Sequence, residues 1–220
     1  MHNLFEMFQI IDAYYSYLKA RNFRFSDQGY PLFEEWMFLD EYPDLVVPIQ
    51  QRKNRRVKAP ARTVLCFFCG DKLIYPRYVH LFDEIKIYQS FMGIVEPDLT
   101  VTQDMDREWQ DVLMLLNQLF MAVLAVNDVK VVLNTRIGLA KTFHAFNYIP
   151  RKIMVASGFL GGCRNMDNGE FAYLSKIMRL YPGKILLYGA CDKTIMEQLN
   201  RMGLSYRKYM SFRTLCKEVA

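Results

Sequence analysis

Between residues 63 and 189 the chain repeats one alternation: a short apolar run, then a stretch with helical periodicity. The five runs are TVLCFF (63–68), GIVEPD (93–98), VKVVLN (129–134), KIMVAS (152–157) and KILLYG (184–189). They are apolar almost throughout rather than at every second residue, the pattern of strands buried on both faces. Helical patterns lie near 76–90, 103–126, 170–181 and 192–202. In the clearest, Trp109, Val112, Leu113, Leu116, Leu119, Phe120, Val123 and Leu124 share one stripe. The segment LAKTFHAFNYIPR leaves room for two or three turns at most. The alternation predicts an α/β fold with a mainly parallel sheet of five or more strands and helices on both faces. An open doubly wound sheet and an incomplete barrel both fit.

The first 62 residues have a different texture. Leu4, Phe8, Ile11, Tyr15 and Leu18 recur at spacings of three and four, which predicts an amphipathic helix over 4–19. Residues 26–50 are rich in proline, aromatics and acids, and the basic run QQRKNRRVKAPAR follows. The reading is an N-terminal appendage and exposed linker over 1–62, then an α/β domain over 63–220. With 52% hydrophobic residues the chain is not a disordered one. A basic leader and a cleavage site are not seen at its start. The longest apolar stretch, residues 112–126, is too short to span a bilayer. Five irregularly spaced cysteines do not make a secreted disulfide framework. A soluble, cytoplasmic protein without membrane contact is expected.

In either architecture a ligand sits at the carboxyl ends of the strands. Those ends supply Asp71, Asp98, Asn134, Arg136, Ser157, Asn165, Gly189 and Asp192. Loops are polar in any case, and Thr102, Asp167 or Asp192 serve equally well as helix caps. Asp98 is the foremost candidate. It follows Pro97, which marks a sharp exit from the strand, and Thr102 is better placed to cap the next helix. Asp104 and Asp106 fall in that helix's expected first turn, where the macrodipole favours acids.

The segment SGFLGGCRN (157–165) follows a strand and precedes a helix. Gly158, Gly161 and Gly162 would let its backbone approach an anion, although the pattern is neither GxGxxG nor a P-loop, and a tight turn without ligand fits better. Cys66 and Cys69 in CFFC have the spacing of half a zinc knuckle. No second pair follows, and strand alternation points them to opposite faces, so zinc is not expected. A Cys–His pair stays open as a nucleophile, although His2, His80 and His144 all stand away from the predicted strand ends. The basic run offers Arg52, Lys53, Arg55, Arg56 and Lys58 to a phosphate backbone, or is simply a solvated linker.

The motifs CFFCGDKLI, VEPDLTVTQDMD, VKVVLNTRIG, IMVASGFLGGC and KILLYG, in this order, resemble a family of bacterial, phage and mobile-element proteins known as domain of unknown function 4417. The resemblance covers residues 63–190. Asp71, Asp98, Asp104, Gln110, Asn117, Gly162, Cys163, Tyr188 and Gly189 fall on matching positions. Leu99-Thr100, Asp106 and Asn134 depart from the pattern of Phe-Ser, Pro and Pro. The family has no established activity, so the resemblance implies a setting, a phage or mobile element, rather than a reaction.

The expected function is binding of a phosphate-bearing ligand, a nucleotide or DNA. Asp98 with Asp71 or Asp104 would hold Mg²⁺ through oxygens, and Arg136 would pair with phosphate. Any catalysis would be metal-assisted phosphodiester chemistry, with Asp98, Asp71 and Asp104 as its acids. The rival is a non-enzymatic module that docks on a host or phage protein through FEEWMFLDEYP and the basic run.

Overall fold

A computed structural model describes residues 4–101, 104–135, 140–158 and 169–217. Seven strands form one sheet: β1 (Leu45–Pro48), β2 (Thr63–Cys66), β3 (Gly93–Val95), β4 (Val131–Asn134), β5 (Met154–Gly158), β6 (Lys184–Tyr188) and β7 (Ser205–Tyr209). Every pairing is parallel, and the spatial order equals the chain order. Right-handed crossovers repeated in one direction carry their connections to the same side of the sheet. The sheet curls into a half-barrel with helices around it. Of the two architectures compatible with the sequence, this is the incomplete barrel.

The helices are α1 (Leu4–Lys19), α2 (Asp71–Val79), α3 (Leu81–Tyr88), α4 (Arg107–Ala125), α5 (Gly169–Leu180), α6 (Lys193–Arg201) and α7 (Phe212–Lys217). Strand residues of one parity, such as Val47, Leu65, Ile94, Leu133, Val155 and Leu187, pack with helical residues into the larger core. α4 runs through it, burying Leu116 to Ala125 without a break. Residues of the other parity, including Val64, Cys66, Val95, Val132, Ala156 and Leu186, form a second core on the concave side. That cluster also holds Leu39 and Phe68, and among the described residues no helical one belongs to it. At one end of it Phe68 stacks on Tyr188, ring centroids 5.4 Å apart. Gly158 makes room for this pair, since a Cβ there would overlap the Phe68 ring.

The division at residue 62 corresponds to no break in packing. β1 is an integral strand, paired with β2 from Leu45↔Thr63 to Pro48↔Cys66. Met7, Ile11, Tyr14 and Leu18 of α1 belong to the same core as α4. The Tyr14 hydroxyl donates to the Tyr78 carbonyl at 2.6 Å, tying α1 to α2. The basic run is the β1–β2 connection rather than an interdomain linker. Its first arginine is committed to the fold: Arg52 pairs with Glu84 at 3.1 Å. Arg77 pairs with the same buried carboxylate, and the Tyr88 hydroxyl donates to its other oxygen. Lys53, Arg55 and Lys58 are exposed, and Arg56 is half-buried.

Candidate functional site at the carboxyl ends of the strands

β2 and β3 deliver their side chains to a common cleft of about 600 Å³, lined by Phe68, Cys69, Asp71, Lys72, Asp98 and Thr100 among others. Asp71 opens α2, where the helix N-terminus favours a carboxylate. Its Oδ1 accepts from the Thr100 backbone N–H at 3.3 Å and from the Thr100 hydroxyl at 3.1 Å. The loop after β3 is thereby pinned to the start of α2. Asp98 accepts from Asn134 Nδ2 at 2.7 Å, a link from β3 to the end of β4. Neither carboxylate is a helix cap for its own strand's exit. Asn134 acts twice, because its backbone N–H donates to Glu96 Oε2 at 2.9 Å.

Glu96 is the residue that sequence reasoning passed over. It is fully buried beneath the cleft, and burial pushes its carboxyl up to about 8; the Asn134 N–H opposes the rise and the Asp98 charge adds to it. A lone acid directly after an apolar run, just past the end of β3, was the available signal. Thr100 carried none, since its role comes from a contact made across 29 positions. Burial, with the Asp98 and Asp71 carboxylates adding to it, lifts the Cys69 thiol to about 11. Cys69 therefore sits in the cleft as a neutral thiol rather than a nucleophilic thiolate. Cys66, the last residue of β2, belongs to the concave core, while Cys69, in the loop after the strand, packs against the helical core.

The other expected residues disperse. Ser157 is buried, and its hydroxyl shares hydrogen bonds with Thr135 at 2.8 Å and Tyr173 at 3.0 Å. It joins β5 to α5 instead of facing the cleft. Gly158 faces the concave core. Gly189, at φ 83°, turns the chain out of β6 and donates to the Tyr209 carbonyl at 2.8 Å. The Tyr188 hydroxyl accepts from the Phe212 N–H at 2.8 Å. Asp192 caps α6 by accepting from the Thr194 N–H at 2.9 Å. α4 begins at Arg107 with Asp106 at its N-cap position, so Asp104 lies in a turn before the helix rather than in its first turn. Thr102 lies outside the described residues, as do Arg136, Gly161, Gly162, Cys163, Asn165 and Asp167.

Gln110 and Asn117 are buried in α4. Gln110 Nε2 donates to the Met105 carbonyl at 2.8 Å, and Asn117 Oδ1 accepts from the Tyr78 hydroxyl. Both brace the helix that backs the cleft. The two histidines among the described residues stand elsewhere: His80 beside Asp83, and His144 between Tyr30 and Asp111, each at 3.4 Å. Among the described residues no group of three or more His, Cys, Asp or Glu side chains is gathered as a metal site. No described helix is long and apolar enough to cross a membrane.

No family model, curated protein or solved structure matches this chain. The cleft must be interpreted from its own chemistry.

Proposed function

We propose that the cleft between β2 and β3 binds a phosphate-bearing ligand through a divalent cation held by Asp98 and Asp71. The observation that carries this reading is that both carboxylates line one cleft at the carboxyl ends of parallel strands, where ligands of such sheets lie. Mg²⁺ is commonly bound by one or two carboxylates, with waters and substrate phosphates completing its shell. Two acids with the Thr100 hydroxyl are a donor set of that kind. Lys72 lines the same cleft and provides a cation for phosphate oxygens. When bound, the metal would supply Lewis-acid stabilisation for phosphodiester chemistry. The chain's own contribution is orientation: Asn134 fixes Asp98, and Thr100 fixes Asp71. The resemblance to domain of unknown function 4417 suggests a phage or mobile element as the setting.

The docking-module alternative is less well supported. In FEEWMFLDEYP, Phe33, Met37, Phe38 and Leu39 are buried and build the core. Thermal-shift titration with Mg²⁺ and Mn²⁺, with and without a nucleoside triphosphate, tests the ligand reading. The expected result is a cation-dependent rise in melting temperature, larger with nucleotide and absent in Asp98→Asn. No response of the parent protein to either cation would sink it.

A further inference from the structure

The opposite end of the half-barrel carries a second cleft, of about 620 Å³, at the amino ends of β4, β5 and β6. Four cations line it, Lys130, Arg151, Lys152 and Lys184, against two acids, Glu35 and Asp40. Its remaining lining includes Phe38, Leu39 and Met154, which are buried and form an apolar floor. One wall is Trp36, 54% exposed although its neighbours Met37, Phe38 and Leu39 are buried. The indole is held in place on both sides of its bond to the chain. Its Nε1–H donates to Glu34 Oε2 at 2.9 Å, and its backbone carbonyl accepts from Lys130 Nζ.

The cations differ in how far the fold already uses them. Lys130 and Lys184 each donate to a backbone carbonyl of the 36–40 segment, leaving N–H groups on each ammonium for another acceptor. Arg151 and Lys152 are exposed and form no ion pair among the described residues. They occupy a turn of fixed shape. Lys152 adopts φ 62°, a left-handed conformation that a side chain disfavours. The turn is secured by Lys152 N–H to the Tyr181 carbonyl at 2.9 Å and by Gly183 N–H to the Ile153 carbonyl at 3.0 Å. A rigid turn thus presents two adjacent cations beside an exposed indole.

We infer that this amino-terminal cleft binds a nucleotide unit, free or within a single strand, with its base on Trp36 and its phosphate on Arg151 and Lys152. An exposed aromatic beside a basic rim is the combination that single-stranded nucleic acid selects, because any base has a face to stack and each phosphate a charge to neutralise. The apolar floor suits a base and is of no use to inorganic phosphate. The site is separate from the acidic cleft and does not depend on that reading.

The test uses the full chain and two probes: a short fluorescein-labelled oligothymidylate followed by anisotropy, and thymidine monophosphate followed by calorimetry. Oligothymidylate should bind at low salt and weaken as salt rises. The double variant R151A/K152A should weaken binding at least tenfold and reduce the salt slope by about 1. Trp36→Leu should weaken it about tenfold with the slope unchanged. Both variants alter exposed side chains, and circular dichroism verifies their fold. Both probes are titrated in EDTA, where the cation-dependent acidic cleft has no bridge to phosphate, which separates the two sites. Thymidine monophosphate binding as tightly as the oligomer assigns the site to free nucleotides; a tighter oligomer assigns it to a strand. Failure of both probes to bind at low salt overturns the inference. So does binding that survives both variants, or tighter binding of a duplex than of the single strand.

Discussion

The two ends of the half-barrel are built from different materials. At the amino ends of the strands the closest joints are backbone against backbone, with the Lys130 and Lys184 side chains adding bonds to carbonyls. Gly183 approaches the Lys152 carbonyl so closely that no Cβ fits, Gly93 lies against the Lys130 carbonyl, and Leu39 N–H donates to the Val131 carbonyl at 2.9 Å. At the carboxyl ends the joints between neighbouring connections are side chains: Asp98 with Asn134, Asp71 with Thr100, Glu96 with the Asn134 N–H. Backbone contacts tolerate few substitutions, whereas side-chain contacts can be exchanged without moving a strand. The comparison teaches that strand direction separates what holds the sheet from what can vary its chemistry, as in complete barrels.

The contrast is most exposed to failure at Gly183. Gly183→Ala should destabilise the chain by about 3 kcal/mol, because the new methyl meets a backbone oxygen and cannot be accommodated by a rotamer change. Urea denaturation measures it, and a cost near zero would mean that the amino-terminal joint yields easily.

At the other end the acid beneath the cleft predicts a pH dependence. The Glu96 carboxyl titrates near 8 in the folded chain and near 4.3 when unfolded. Its neutral buried form is fully stabilising below about 4.3. As pH rises, the unfolded chain releases the proton first, so stability falls across this window and the contribution is gone above about 8. Between pH 5 and 6.5 alone the loss should be about 2 kcal/mol. Glu96→Gln keeps an acceptor for the Asn134 N–H and should flatten the profile in thermal denaturation. An unchanged slope in that variant would assign the dependence to other groups.

Smaller still is Asn134→Ala. It removes the donor to Asp98 and should cost about 1–2 kcal/mol, measured by the same urea titration. Smallest is Asp98→Asn, expected within about 0.5 kcal/mol of the parent while the cation response disappears. A cost for Asp98→Asn equal to that of Gly183→Ala would erase the distinction between the two ends.

Legibility in the sequence followed burial. The five interior strands are apolar on both faces, so their runs were readable and only their ends moved, by one to three residues. The strands at the two edges were not. β1 is four residues long and bounded by Pro43 and Pro48, and β7 reads Ser-Tyr-Arg-Lys-Tyr. An edge strand has one side open, and charge there discourages pairing with another chain, so the apolar-run criterion passes over it. Asp98 was legible because Pro97 announces the strand exit. Arg52 was misleading for the opposite reason: it stands in a run of cations, and its partner Glu84 is 32 positions away with nothing local to announce it.

Tyr42 and Pro43 reach across the open side of the curl. The Tyr42 hydroxyl meets Ser205 Oγ at 3.0 Å, the Tyr209 hydroxyl donates to the Pro43 carbonyl at 2.7 Å, and the Arg207 guanidinium lies over the Tyr42 ring. α7 also packs against β1. The rest of the sheet pairs neighbours in sequence and can therefore assemble in the order of synthesis. These contacts join positions more than 160 residues apart, so they form only after β7 has been made. Translation would thus produce a sheet that grows strand by strand at one edge and is latched by its last strand onto a segment waiting since before the first. A ribosome-bound chain halted ahead of residue 205 would hold most of the sheet, with Tyr42 and Pro43 still lacking their partners.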